Sequence, residues 1–199
     1  MKRTTRDVLH DARDSLRTAE RGLADLSRGD AERRLAGLRN AVVFGRAVTN
    51  ILENLRSLEP TFDTWYKPKS RALSEEPLMK FFYKLRTEIL KEGSLPVATV
   101  LEIRNLEMPL DPVRFGTPPP GASHIFVGDA IGGVGWIVTR PDGSTEKYYV
   151  EIPDDVGVIE TSLVGAPGGE RSASELVGWY LKRMRELVEE AERLFGGAG

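Results

Sequence analysis

Residues 172–195 read Ser-Ala-Ser-Glu-Leu-Val-Gly-Trp-Tyr-Leu-Lys-Arg-Met-Arg-Glu-Leu-Val-Glu-Glu-Ala-Glu-Arg-Leu-Phe, and the fold turns on this stretch. Ser172 followed three residues later by Glu175 is a capping box by type and spacing, so a helix starts there. Val177, Tyr180, Leu181, Met184, Leu187, Val188, Ala191, Leu194 and Phe195 then recur at helical steps and form a broad apolar face ending at Gly196-Gly197. A face that wide needs a large apolar partner. The chain offers one only in the helices at its other end, which makes everything between them an insertion.

Those partner helices lie in residues 1–93. Leu9, Ala12, Leu16, Ala19, Leu23 and Leu26 step by three and four and predict a helix from Thr5 to Ser27, capped by Thr4 or Thr5. Gly29-Asp30 interrupts the pattern. Leu35, Leu38, Val42, Gly45, Val48, Leu52 and Leu55 place a second helix behind Asp30 as N-cap, and the two should form an antiparallel hairpin. Pro60 stops the second helix, because its ring and missing N–H do not suit a helix interior. Thr61 to Arg71, with Phe62, Trp65 and Tyr66, predicts a short helix or turn covering one end of the bundle. Ser74-Glu75-Glu76-Pro77 opens another long helix, with proline and acidic residues where its first turn tolerates them, and Gly93 closes it.

From Ser94 the texture changes to β-branched and aromatic residues punctuated by glycine and proline. Strands are predicted at Val97–Arg104, Ser123–Val127, Gly135–Thr139, Thr145–Ile152 and Val156–Val164, with a stiff loop at Pro118-Pro119-Pro120-Gly121 and a hairpin turn at Arg140-Pro141-Asp142-Gly143. The expected fold class is α+β. Residues 1–93 form the first part of a bundle of about four long helices, 94–170 an inserted acidic antiparallel sheet of about four or five strands, and 171–199 the final helix with a flexible tail, all in one compact unit.

Composition narrows the function classes. The 199 residues contain no cysteine, which excludes disulfides, thiolate metal sites and a cysteine nucleophile, and fits a reducing cytoplasm. The N-terminus carries charge every few residues, so no secretory signal is expected, and no segment approaches the roughly 18 uncharged apolar residues of a membrane span. The net charge of −2 hides a division. Lys and Arg stand against Asp and Glu as 19 to 14 in residues 1–93, 4 to 11 in 94–170 and 5 to 5 in 171–199. A basic front permits an anionic partner, although interspersed signs are also how a solvated helix face looks.

The basic part has a centre at Arg86. Leu78, Phe81, Phe82, Leu85 and Ile89 form an apolar stripe, and Phe82, Arg86 and Leu90 form the adjoining row, so Arg86 sits at a boundary between core and solvent. Thr87, Glu88, Ile89 and Leu90 follow it, then Lys91. This arrangement resembles the HEPN superfamily, small helical bundles in which an arginine, four to six intervening residues and a histidine share a late helix. The resemblance covers residues 1–93 and 171–195 in architecture only. For active members it implies metal-independent RNA cleavage across a homodimer, the histidine helping to activate the ribose hydroxyl and the arginine holding the phosphate. Here Lys91 stands where the histidine would at four-residue spacing, and Glu92 and Gly93 occupy the other two places. A lysine near its reference pKa of about 10.4 is protonated at neutral pH and is a poor general base. Arg86 and Lys91 are thus the candidate catalytic pair, but phosphate binding follows from them more readily than cleavage.

Arg46, Asn50 and Glu53 lie at i, i+4 and i+7 on the second helix, a polar row beside its apolar face. With Arg86 they form the candidate ligand-binding set. Alternatively, Glu53 accepts a bidentate contact from Arg86 and the pair is a strut that fixes helix register. Other constellations are weaker. Gly128 to Gly135 lacks the lysine and serine of a phosphate loop and reads as a glycine-rich turn, and Asp154-Asp155 with Glu151 and Glu160 reads as a solvated turn. His10 and His124 have no metal-ligand neighbours at helical spacing, and no serine is marked as a nucleophile. Trp65, Tyr66, Trp136, Tyr148, Tyr149 and Trp179 read as packing residues before base-stacking ones. No cofactor or metal is expected. The expected function is a binding or regulatory HEPN-like protein that contacts an anionic ligand, RNA foremost, through a basic helix. The alternatives are a protein-interaction module that uses the acidic sheet with the bundle as scaffold, and a metal-independent ribonuclease.

Overall fold

Helix α1 (Thr5–Arg28) begins at a cap written in its own sequence: Thr4 Oγ1 accepts from Asp7 N at 3.2 Å, and the Asp7 carboxylate accepts from Thr4 N at 2.8 Å. Two donors that the helix leaves without an internal partner are thereby satisfied. Helix α2 (Ala31–Leu52) returns antiparallel to it. Ser15 Oγ donates to Phe44 O at 2.9 Å, Gly22 faces Gly37, and Arg33 pairs with Asp25 at 3.2 Å, so each step forward on α1 matches an equal step back on α2 within one residue. The hairpin is as close as it is because both facing residues are glycine. A Cβ built at Gly22 would lie 2.6 Å from Gly37 O, and one at Gly37 2.5 Å from Gly22 O.

The computed structural model describes residues 3–28, 30–103, 117–129, 133–151, 157–169 and 171–197. The chain divides into two compact units, one of residues 1–29, 33–95 and 165–199, the other of residues 30–32 and 96–164. The fold is α+β, with helices from both chain ends and the strands inserted between them.

In the helical unit α2 tightens into a 3₁₀ turn at Glu53–Ser57 before Pro60. Helix α3 (Phe62–Glu75) is longer than the expected short helix or turn over Thr61 to Arg71, and it continues past the internal Pro68. Helix α4 (Pro77–Glu92) has Pro77 at its start and ends at Gly93, whose φ of +66° is a left-handed conformation that glycine adopts without a Cβ clash.

The last helix, α5 (Ala173–Phe195), is the one the others surround. Its capping box is complete: Glu175 N donates to Ser172 Oγ at 3.3 Å and Ser172 N to Glu175 Oε2 at 2.9 Å. It runs antiparallel to α1, held at the edges by Arg13 Nε to Glu192 at 3.0 Å and Arg185 to Glu20 at 2.7 Å. Gly45 of α2 lies under the Tyr180 ring, where a Cβ would fall 2.6 Å from Cε1, and Phe82 of α4 stacks on the same ring at 4.5 Å. Phe195 meets Trp65 of α3 edge-on at 5.6 Å. Val177, Tyr180, Leu181, Met184, Val188 and Ala191 are essentially water-free, whereas Leu194, expected on the same face, is exposed.

Among the described residues the strand unit holds two antiparallel sheets, where one sheet of four or five strands was expected. Strands β1 (Val97–Ile103) and β5 (Gly157–Leu163) pair with each other, from Val97 opposite Leu163 to Ile103 opposite Gly157. Strands β2 (Ala122–Val127), β3 (Val134–Thr139) and β4 (Thr145–Tyr149) form a separate meander. Short turns bring sequential strands together first, and the outer two are left to pair with each other. The turn at Arg140 to Gly143 is as expected, with Gly143 N donating to Arg140 O at 2.9 Å and Gly143 at φ +80°. Trp136 and Val138 form the meander's small core with Ala122, Ile125 and Val150. Arg104, Ile152, Val156, the Asp154-Asp155 turn, Ala130 to Gly132 of the glycine-rich stretch, Gly29 and the final Ala198-Gly199 lie outside the described residues.

Candidate functional site

Helices α2, α3, α4 and α5 enclose a cleft of about 340 Å³. Helix α2 contributes Arg46 and Thr49, and the 3₁₀ turn that continues it contributes Glu53, because positions three and seven residues on from Arg46 return close to its side of the helix. Helix α3 contributes Tyr66, Ser70, Leu73 and Ser74, α4 contributes Met79, Lys80 and Tyr83, and α5 closes the floor with Tyr180 and Met184. Lys80 and Tyr83 are exposed, so the cleft reaches the surface. Its interior is phenol rings, thioethers and leucine; its rim is charged.

Arg46 donates to Thr49 Oγ1 and stands over the Tyr83 ring at 5.4 Å from its centroid. Tyr83 is 59% exposed, so most of its ring is open to solvent. Beneath it Tyr180 is 1% exposed, and its hydroxyl has no hydrogen-bond partner among the described residues. Burial pushes the Tyr180 phenol well above the usual tyrosine range, and the positive charges of Arg46 and Arg86 pull the other way. Burial likewise raises Tyr66, helped by the Glu53 carboxylate and opposed by Arg46, Arg56 and a hydrogen bond with Thr49.

Of the residues picked out by sequence, Arg46 and Glu53 line this cleft. Asn50 is exposed; its backbone oxygen accepts from Asn54 Nδ2 at 3.3 Å, and Thr49 takes its place in the cleft. Arg86 is half-buried, its Nε is shut off from solvent without a partner, and no ion pair joins it to Glu53. Glu53 instead lies 3.9 Å from Arg56. Lys91 is exposed at the end of α4. Arg46, Lys80, Arg86 and Lys91 make no ion pair among the described residues, whereas Lys84 reaches Glu88 at 3.5 Å. Lys80, Lys84, Thr87 and Lys91 follow one another by four, three and four along the outer face of α4, with Tyr83 beside Lys84, a row whose spacing is present in the sequence.

A second groove, between α3 and α5, has Lys69 paired with Glu190 at 2.7 Å and Arg183 with Glu186 at 3.1 Å, so both of its cations are already paired. His10 sits beside Asp14 and His124 beside Ser123, neither in the cleft. In the strand unit Asp129 accepts from Gly133 N, Lys147 and Tyr149 OH at 2.8–3.0 Å, tying the glycine-rich turn to β4. No described helix is long and apolar enough to cross a membrane.

By fold and site this is an α+β chain whose helical unit, drawn from both chain ends, surrounds an aromatic cleft with a cationic rim. Residues 23–115 match the family model described as bacteriophage lambda protein ea47, and over that stretch the chain is similar to that family. The match includes every cleft residue on α2, α3 and α4 and stops short of α5. No curated protein and no solved structure matches the chain.

Proposed function

We propose that this is a binding protein for an anionic ligand, single-stranded RNA, which it holds on the face formed by α2 and α4. The observation that carries the proposal is Tyr83, an exposed ring with Arg46 on one side, Lys80 about one helical turn before it and Lys84 next to it in the sequence. Single-strand binding needs such a combination: cations for the phosphates and an aromatic face on which bases stack. Arg86 and Lys91 extend the cations along the helix towards its C-terminus. This is the binding member of a HEPN-like pattern. Cleavage is not part of the proposal, because no imidazole stands beside Arg86.

The test is fluorescence anisotropy with a labelled single-stranded RNA. Affinity should fall as salt rises, with a logarithmic slope of about 0.7 for each phosphate neutralised, and Lys80→Glu with Lys84→Glu should lower both affinity and slope. No binding at low salt, or binding untouched by the double charge reversal, defeats the proposal.

A further inference from the structure

We propose that the cleft beneath Tyr83 receives the base of a single nucleotide, whose phosphate stays at the rim on Arg46 and Lys80. This rests on the anionic-ligand reading and adds the unit that is recognised and where it goes.

Three features of the cleft select the ligand. Its volume of about 340 Å³ lies at the small end of ligand pockets, so it admits one compact group and not a chain of them. The interior surfaces are flat and apolar, with the Tyr66 and Tyr180 rings beside Leu73, Met79 and Met184, which suits a planar aromatic group. Finally, the polar atoms are few and differ in kind. Among the described residues Tyr180 OH has nothing to donate to, an unfavourable state for a buried donor; it lies closed to solvent, so a ring nitrogen or carbonyl oxygen meets it, and relieves it, only as the cleft walls give way around the ligand. Glu53 offers a carboxylate acceptor from another wall, suited to amino or imino N–H groups. A nucleobase presents acceptors and donors on one flat edge and carries its anion outside. An acyl chain would leave Tyr180 OH unmatched, and a free sugar would leave the aromatic surfaces poorly used. Tyr83, at the mouth, is then the platform for the next base of a strand.

A base of this kind comes either from a strand, by extrusion of one nucleotide, or from a free nucleotide. Four probes separate the sources and test the idea: a single-stranded RNA, the same backbone made fully abasic, the four nucleoside monophosphates, and inorganic phosphate. The variants are Ser70→Phe, which fills the cleft, and Tyr180→Phe, which removes only the buried hydroxyl and keeps the ring packed on Phe82. The intact strand should bind at least about tenfold more tightly than the abasic one. Ser70→Phe should lower intact-strand affinity about tenfold, to the level that phosphate contacts and stacking on Tyr83 supply, and Tyr180→Phe should lower it about fivefold, with abasic binding unchanged in both. If Ser70→Phe does not fold, Tyr180→Phe carries the test alone. Monophosphates that bind more tightly than inorganic phosphate, with no affinity for the strand, assign the cleft to free nucleotides and support base insertion. Intact-strand affinity that exceeds abasic affinity but is changed by neither Ser70→Phe nor Tyr180→Phe overturns base insertion and leaves the surface reading, with stacking on Tyr83, standing; equal affinity for intact and abasic strands overturns both the inserted base and the Tyr83 platform. Binding of none of these probes overturns base insertion and the surface reading together.

Discussion

The Arg46 guanidinium stands 5.4 Å from the centre of the Tyr83 ring, on the rim of a cleft whose floor is the buried ring of Tyr180. A ring so exposed contributes little to folding, while a cation on one of its faces leaves the other for a base. Tyr83→Ala is therefore expected to weaken RNA binding by about 5- to 150-fold, the range that loss of one stacked base gives, and Tyr83→Phe to weaken it far less. Both should unfold within about 0.5 kcal/mol of the parent in urea. Equal binding by Tyr83→Ala and the parent would show that the ring is not a platform.

Arg86 is half-buried, and among the described residues its Nε finds no partner. An arginine serving as a buried strut would cost about 3–5 kcal/mol when its partner is left alone, but here no carboxylate waits to be stranded. Arg86→Met keeps the length of the stem and removes the unpaired donor. Urea unfolding should show stability unchanged or raised by about 1 kcal/mol, and RNA affinity should fall. A loss of several kcal/mol would restore the strut.

How far the sequence could be read depended on whether a feature was local to one element. The Ser172–Glu175 box, the Thr4 cap and the stop at Gly93 each depend on a few adjacent residues, and each is in place. The bundle and its insertion followed from the apolar face of α5, because a wide face implies its partner. The cleft did not follow. Periodicity says which way a side chain points, not what stands opposite. Arg46 and Glu53 were visible as one row, but Asn50 and Thr49 flank that row on opposite sides, and only packing against α3 and α4 selects Thr49. Tyr180 is indistinguishable in sequence from its core neighbours, although its hydroxyl is what makes the floor polar. The split of the strands into two sheets was equally hidden, since strand pairing across the insertion leaves no periodic trace.

The approach of α1 to α2 depends on Gly22 and Gly37, and two effects oppose each other when either gains a methyl group. Alanine is favoured over glycine in a helix by about 1 kcal/mol. Against that, the new Cβ at position 37 would meet the backbone oxygen of Gly22 at 2.5 Å, an atom that cannot rotate away. Overpacking of this kind costs about 1–3 kcal/mol, so after the propensity gain Gly37→Ala should lower stability by a net of up to about 2 kcal/mol in urea. A more stable variant would mean that the hairpin separates without cost.

The buried phenols give the helical unit an alkaline limit. In the unfolded chain Tyr180 and Tyr66 ionise near the ordinary value of about 10; in the folded protein burial holds both higher, Tyr180 far more so. With the folded value raised, the contribution to stability is complete below about pH 10 and is lost as pH climbs from there, because only the unfolded state releases the proton. Each phenol adds up to about 1.4 kcal/mol of lost stability per pH unit in that window. Urea unfolding of the parent at pH 9, 10 and 11 should steepen accordingly, and Tyr180→Phe should remove the larger part of the difference while the lysines, common to both proteins, cancel. Parallel pH profiles for the two would mean that the Tyr180 hydroxyl already meets water in the cleft and is not the unpaired donor that a base edge would satisfy.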